Sequence, residues 1–388
     1  MQFKQILIAL GCAVAACGTA LAQSQQGVTK DQIIIGTIQD LSGPLAGPGK
    51  QMYHGIQMGM DEINEQGGIN GRKLVLKVED SGYDPKRAVL AAQKLVDQDR
   101  IFAMVSHIGS AHNIATFPVL FEKNVISFFP GSASREMYDP PHRLKYSTFL
   151  PHYDQMRLTV PKLAKEKGAQ KLCAIYQDDD YGLEVLHGAE AGAKANGMTF
   201  TEKVSFKRGA TDFSSQVAKT KAAGCDFVVL GTIVRETIGA VSEARKIGFN
   251  PTFLMASGGY SDQIHKLGGK QMDGLYSPTT VVNPYLDDDS EPLRAWANKY
   301  KAKFNEDPST YSIYGYLAVK AFSKAAQKAG PNLTTDSFIQ AMDSMTIPPD
   351  IFGTPELSFS PTKRLGTNAS RLSQIQNGRW KVVSDYVK

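Results

Sequence analysis

The period of the apolar positions changes in a regular way along this chain. Ile33-Ile34-Ile35-Gly36-Thr37-Ile38 is a β-branched, strand-like run that ends in the turn Leu41-Ser42-Gly43-Pro44-Leu45-Ala46-Gly47-Pro48-Gly49. Beyond the turn, Met52, Ile56, Met60 and Ile63 recur at helical spacing as far as Gly67-Gly68, and a second alternating run spans Arg72 to Glu79. The switch from strand period to helix period and back predicts a βαβ unit. A crossover of that length joins parallel strands, so a doubly wound sheet is expected, with ligand chemistry in the loops at the carboxyl ends of its strands.

The alternation continues with a helix over Pro85 to Val96, a strand over Ile101 to Val105, a helix over Ala111 to Glu122 and a strand over Val125 to Phe129. It breaks at Pro130 to Arg143, where Pro130, Gly131, Pro140 and Pro141 predict a long loop at the surface or at a cleft. A second series follows: strand Lys171 to Tyr176, helix Leu183 to Ala195, strand Thr201 to Phe206, helix Asp212 to Ala222, strand Phe227 to Gly231, helix Arg235 to Ile247 and strand Thr252 to Met255. After a strand-like Leu275 to Val281, helices are predicted over Glu291 to Phe304, Tyr311 to Lys328 and Thr335 to Asp343. These have no sheet of their own and are expected to return to the first series. The strand-like tail from Leu357 to Val387, with a turn at Asn377-Gly378, is expected to return to the second.

The fold class is therefore α/β, with two doubly wound lobes joined by a hinge of several crossovers. Residues 29–150 and 281–355 are assigned to lobe 1, and residues 151–280 and 356–388 to lobe 2. Two lobes joined this way would close on a ligand held between them.

Composition narrows the compartment. Residues 1 to 22 carry one charge, Lys4, then the apolar run Ile6 to Leu10 and an Ala-rich stretch ending Ala20-Leu21-Ala22, which reads as a secretory signal peptide and places the mature protein in the periplasm. Val14-Ala15-Ala16-Cys17 offers the competing reading of a lipoprotein box with Cys17 lipidated. Loss of the leader takes the formal charge from +5 to +4. With no basic run, nucleic acid is not an expected partner. Cys173 and Cys225 then remain, and sequence leaves a bridge and two buried thiols equally open.

Catalytic signatures are poor. Gly47-Pro48-Gly49-Lys50 resembles a phosphate cradle, but Pro44 and Gln51 stand where a P-loop needs Gly and Ser or Thr, and Met52 stands where a dinucleotide fingerprint needs Gly. The seven histidines form no metal-binding spacing, and no Gly-x-Ser-x-Gly elbow occurs. The run Asp178-Asp179-Asp180 lacks the other ligands of a calcium loop and reads as a solvated loop. No enzyme activity, cofactor or metal is expected.

The motifs that stand out are Asp40-Leu41-Ser42-Gly43-Pro44, Asp61-Glu62-Ile63-Asn64 with Gly67-Gly68-Ile69-Asn70-Gly71, Asp80-Ser81 with Asp84-Pro85, Gln177 to Tyr181-Gly182, and Thr211-Asp212-Phe213. In these the mature chain resembles the leucine/isoleucine/valine-binding family of type I periplasmic solute-binding proteins. The resemblance implies a monomeric receptor that captures a small amino acid or carboxylate and presents it to ABC permease subunits in the inner membrane. A periplasmic sensor or enzyme subunit on the same fold is the rival reading.

The family's ligand carboxylate lies against loops matching His107-Ile108-Gly109-Ser110-Ala111 and Pro130-Gly131-Ser132-Ala133. The resemblance thus implies Ser110, Ile108, Ala111, Gly131, Ser132 and Ala133 as first-lobe contacts. Physics supports an anion there, because Ser110 begins a predicted helix whose first-turn amides lack partners; a plain N-cap is the bland alternative for Ser110. The second lobe would supply Tyr181, with Tyr153, Ile233 and Gly258 nearby. The acid that pairs with the ligand's ammonium is missing, since its segment reads Ala256-Ser257-Gly258-Gly259-Tyr260. Asp154 and Glu236 are the candidate substitutes. Arg235 and Tyr153 suggest instead a carboxylic acid without an amino group, such as an aromatic acid. The family's cysteine pair is also replaced, by Tyr83 and Gly109, and Tyr83 is expected to pack in the core.

Overall fold

The structure, a computed structural model, describes residues 25–386. The leader, with its Cys17 alternative, lies outside the described residues. The first lobe runs β1 (Gln32–Gln39), α1 (Ala46–Glu65), β2 (Lys73–Asp80), α2 (Pro85–Gln93), β3 (Ala103–Val105), α3 (Ser110–Glu122), β4 (Ile126–Phe128) and β5 (Lys145–Tyr146). The second runs α4 (His152–Lys167), β6 (Leu172–Gln177), α5 (Asp180–Ala195), β7 (Phe200–Phe206), α6 (Ser214–Ala222), β8 (Phe227–Gly231), α7 (Val234–Lys246), β9 (Thr252–Met255), α8 (Asp262–Gly268) and β10 (Tyr276–Thr279). There follow α9 (Glu291–Phe304), α10 (Thr310–Ala329), α11 (Thr335–Asp343), β11 (Thr346–Ile347), β12 (Leu357–Ser358), β13 (Arg371–Gln376) and β14 (Arg379–Val382).

The first sheet is all parallel in the order β2-β1-β3-β4-β5. The second repeats that wiring as β7-β6-β8-β9-β10 and adds β13-β14 as an antiparallel hairpin on the far edge. Each order reverses beside its first strand, between β1 and β3 and between β6 and β8. Such switch points leave a crevice at the carboxyl ends of the strands.

Four elements were not predicted, α4, β5, α8 and β11. Helix α4 carries Pro161 inside it, which reads as a breaker. Met156, Val160, Leu163 and Ala164 nonetheless lie buried along one face, and Gly168 closes the helix in a left-handed conformation. Strand β5 is only two residues long, too short for periodicity to reveal.

The C-terminal helices pack against the first lobe. Helix α10 crosses α1 at backbone contact: a Cβ on Gly55 would lie 2.0 Å from the Ser312 carbonyl oxygen, and one on Gly315 would lie 2.1 Å from that of Met52. Phe322, Phe338, Phe102 and Phe128 then form one aromatic cluster under the first sheet. The tail divides differently from expectation. Phe359 packs its ring 5.3 Å from that of Tyr146 and 5.7 Å from that of Phe129, and Leu365 bridges Ser147, so residues 356–366 lie with the first lobe. The crossover to the second sheet comes only before β13. The apolar burial available to Leu357 and Phe359 in the first core holds the chain there.

Cys173 in β6 and Cys225 just ahead of β8 are bridged, with Cα atoms 6.0 Å apart. Parallel pairing of β6 with β8 sets Cys173 opposite Val228, three residues beyond Cys225, which brings the two cysteines within bridging distance and decides between the alternatives that sequence left open. No helix among the described residues is long and apolar enough to cross a membrane.

Candidate ligand-binding site

Both switch points face one cavity between the lobes. Its first-lobe wall comes from the loops after β3 and β4. These loops are tied together: Gly131 N–H donates to the His107 carbonyl at 2.8 Å and Gly109 N–H to the Gly131 carbonyl at 3.2 Å. Ser110 and Ser132 therefore meet, with hydroxyl oxygens 2.9 Å apart. Gly109, not Ser110, holds the cap position of α3, and Ser110 makes no capping bond. Its hydroxyl and the unpaired amides of the first turn are left for an anion.

The second-lobe wall comes from the start of α5 and the loops after β8 and β9. Tyr181 is buried and donates to the Thr232 carbonyl at 3.0 Å, and burial drives its phenol pKa well above the ordinary value. Tyr311, at the start of α10, donates to the Gly258 carbonyl at 2.6 Å and links the lobes on that side. At Gly258 a Cβ would come within 2.8 Å of the Tyr181 hydroxyl, so a side chain there would displace the tyrosine.

Of the residues picked out from sequence, Ile108, Ser110, Gly131, Ser132, Ala133, Tyr181, Ile233 and Gly258 line the cavity. Ala111 and Tyr153 do not. Each is one residue beyond, or beside, a wall residue on a helix, and a single step turns the side chain by about 100°. The Tyr153 ring instead lies under the Arg135 guanidinium, 3.6 Å from its carbon, while His152 faces the cavity. Tyr83 packs in the core as expected and also reaches the wall, its ring stacked on His112 at 4.6 Å. Phe149, Ser257 and Tyr314 also face the cavity and were not foreseen. Helical spacing at Tyr311 and Tyr314 was the available signal.

Neither candidate acid reaches the site. Asp154 is held by Arg157 at 3.1 Å and Arg135 at 3.5 Å. Glu236 is fully buried behind the wall; one oxygen contacts Arg235 at 3.3 Å and the other has no partner. Burial raises its pKa, partly offset by Arg235. No Asp, Glu, Lys or Arg among the described residues lines the cavity. The buried His152 has its pKa pushed down to about 4 by burial, so it faces the cavity as a neutral ring.

Two motifs that suggested other chemistry have local explanations. The amides of Gly43 and Leu45 point at the Asp40 carboxylate, at 2.5 and 2.6 Å, so the Gly/Pro turn closes on its own anion and offers no phosphate cradle. Asp179 caps α5 through the Gly182 amide and pairs with Arg208 at 2.6 Å, and Asp178 pairs with Lys207 at 3.1 Å.

Two similarly wired lobes, linked by repeated crossovers and meeting on a cavity at both switch points, are the architecture of a type I periplasmic binding protein. The model of the family described as periplasmic binding protein matches residues 32–379, and the chain belongs to that family. A relative from Brucella suis, "Leu/Ile/Val-binding protein homolog 8", is 26% identical over 360 residues, covering 90% of this chain and 88% of its own. Among solved structures, a fatty acid ABC transporter substrate-binding protein from Thermomonospora curvata superposes with a TM-score of 0.85 at 22% identity, over 94% of each chain. A branched chain amino acid ABC transporter protein from Thermus thermophilus with bound valine superposes with a TM-score of 0.83 at 18% identity, over 93% of this chain and 97% of the other. At these identities the likeness to the solved structures concerns the fold.

Proposed function

We propose that this protein is the extracytoplasmic receptor of an ABC importer and that it captures an aromatic or other apolar carboxylate lacking an α-amino group. It does no chemistry; closure of the two lobes on the ligand presents it to membrane permease subunits. Family membership, a relative named for binding Leu/Ile/Val and a structural neighbour named as a fatty acid ABC transporter substrate-binding protein support the receptor role.

The observation that carries the ligand class is the absence of any carboxylate on the cavity wall among the described residues. An ammonium closed in without a counter-charge costs several kcal/mol, whereas a carboxylate is met by Ser110, Ser132 and the first turn of α3. Tyr83, Phe149, Tyr181, Tyr311 and Tyr314 supply the aromatic surface for the rest of the ligand.

The test is thermal unfolding of refolded, ligand-free protein with two panels, α-amino acids and deaminated carboxylates including benzoate and phenylacetate. Ligand at a hundred times its Kd stabilises by about 2.7 kcal/mol, a shift of several degrees. Stabilisation by the deaminated panel is expected. A shift with leucine or valine and none with the acids would overturn the assignment.

A further inference from the structure

A second cavity lies against the first. Phe149 and Tyr314 line both. Their rings meet edge to face with centroids 4.7 Å apart, forming the partition between the two spaces. Both residues keep partial exposure at this interior position, as expected of side chains with open space on either side.

The second cavity is built from the hinge and the face of α10. Thr148 and Phe149 belong to one crossover and Thr280 and Val281 to another; Leu317, Ala318 and Ala321 come from α10, and Ile347 and Leu357 from the small β11-β12 hairpin. Several of its polar groups are committed, the buried Thr354 hydroxyl being an exception without a partner among the described residues. Lys320 is paired with Glu62 at 3.2 Å, and the Asp350 carboxylate accepts from the amides of Phe352 and Thr354 at 2.9 and 3.2 Å. What remains inside is largely apolar, its lysines being Lys320, paired with Glu62, and Lys324 at the exposed rim, whereas the adjoining cavity has the paired hydroxyls of Ser110 and Ser132 on its wall.

We propose that the two cavities form one extended site, in which the carboxylate is held at Ser110 and Ser132 while an apolar tail passes between Phe149 and Tyr314 into the second cavity. The inference rests on the carboxylate reading above and refines it: the receptor accepts arylalkyl or acyl carboxylates longer than the first cavity holds. The tail would touch two crossovers, so that its seating and the closure of the lobes go together.

The experiment is calorimetry with benzoate and 8-phenyloctanoate on the wild-type protein and on Ile347→Trp and Ala321→Leu, two substitutions that fill only the second cavity. Ile347 is half-buried on a two-residue strand and tolerates the larger ring even if the α10 variant fails to fold. Expected is a loss of tenfold or more in 8-phenyloctanoate affinity in the variants, with any benzoate binding kept within twofold. Equal effects on both acids, no effect on either, or binding of benzoate alone by the wild type would overturn the extended site and leave the carboxylate reading standing. Failure of both acids to bind the wild type would remove the carboxylate reading and the extended site with it.

Discussion

The hydroxyl oxygens of Ser110 and Ser132 lie 2.9 Å apart although the residues are 22 positions apart in the chain. They meet because β3 and β4 are parallel neighbours, with Val105 opposite Phe128, and both loops leave the sheet at the same edge. Two hydroxyls and the start of a helix then converge on one point of the cavity wall.

Ser110→Ala is expected to weaken carboxylate ligands by about 1 to 3 kcal/mol, the range for a hydrogen bond to a charged group. Ser132→Ala should act similarly, and the double variant should lose less than the sum, because each hydroxyl orients the other. Calorimetry across the four proteins measures this; unchanged affinity in Ser110→Ala would remove it from the site.

Ser257→Asp places a carboxylate on the second-lobe wall, in the segment where the family's acid is absent. Affinity for deaminated carboxylates is expected to fall at least tenfold through like-charge repulsion, about 1.4 kcal/mol or more, while α-amino acids gain. Glu236→Gln, by contrast, should leave ligand affinity within about twofold, because its carboxylate is behind the wall. A large affinity loss in Glu236→Gln would show that this acid serves an ammonium after all.

The Cys173–Cys225 bridge closes a loop with a sequence separation of 52. Chain-entropy arguments give it about 4 kcal/mol of stability. The double Cys→Ser variant should unfold several degrees lower with ligand affinity intact, since neither sulfur lies on the cavity wall. Thermal unfolding with and without reductant checks both statements.

Stability should peak near neutral pH, about 6.5, for two opposed reasons. Burial holds His112 and His152 at about 4, below the unfolded value near 6.5. Their contribution is present in full above 6.5 and is lost as pH falls through 4, by about 3 kcal/mol each. Glu184 acts the other way: burial raises its pKa to about 7 while one oxygen accepts the Arg135 amide at 2.9 Å. Its ionisation penalty is full above 7 and is relieved as pH drops toward 4.5. Glu184→Gln should therefore flatten the decline on the alkaline side and keep the acid limb; an unchanged alkaline limb would exclude Glu184 as its source.

Much of this molecule is written in local pattern. Apolar periodicity determined the strand and helix alternation, because a residue's place on the buried face follows from the 2.0 or 3.6 repeat of its own element. Repetition of that alternation, with helices left over, determined two similarly wired lobes crossed several times by the chain. The loops after β3 and β4 were picked out by the family resemblance, and the Ser at a predicted helix start was the local feature that agreed with an anion there. Other matters were settled by tertiary structure alone. Asp154 and Glu236 are both carboxylates near the right loops, yet salt bridges turn one away and burial hides the other, and no periodicity reports which way a side chain faces across a cleft. Tyr83, Phe149, Tyr311 and Tyr314 come from distant parts of the chain, and only the docking of α10 and the hinge onto α1 brings them to one wall. The same docking leaves the second cavity behind the partition, since packing of segments so far apart in sequence depends on complementarity of the assembled surfaces and has no local signature.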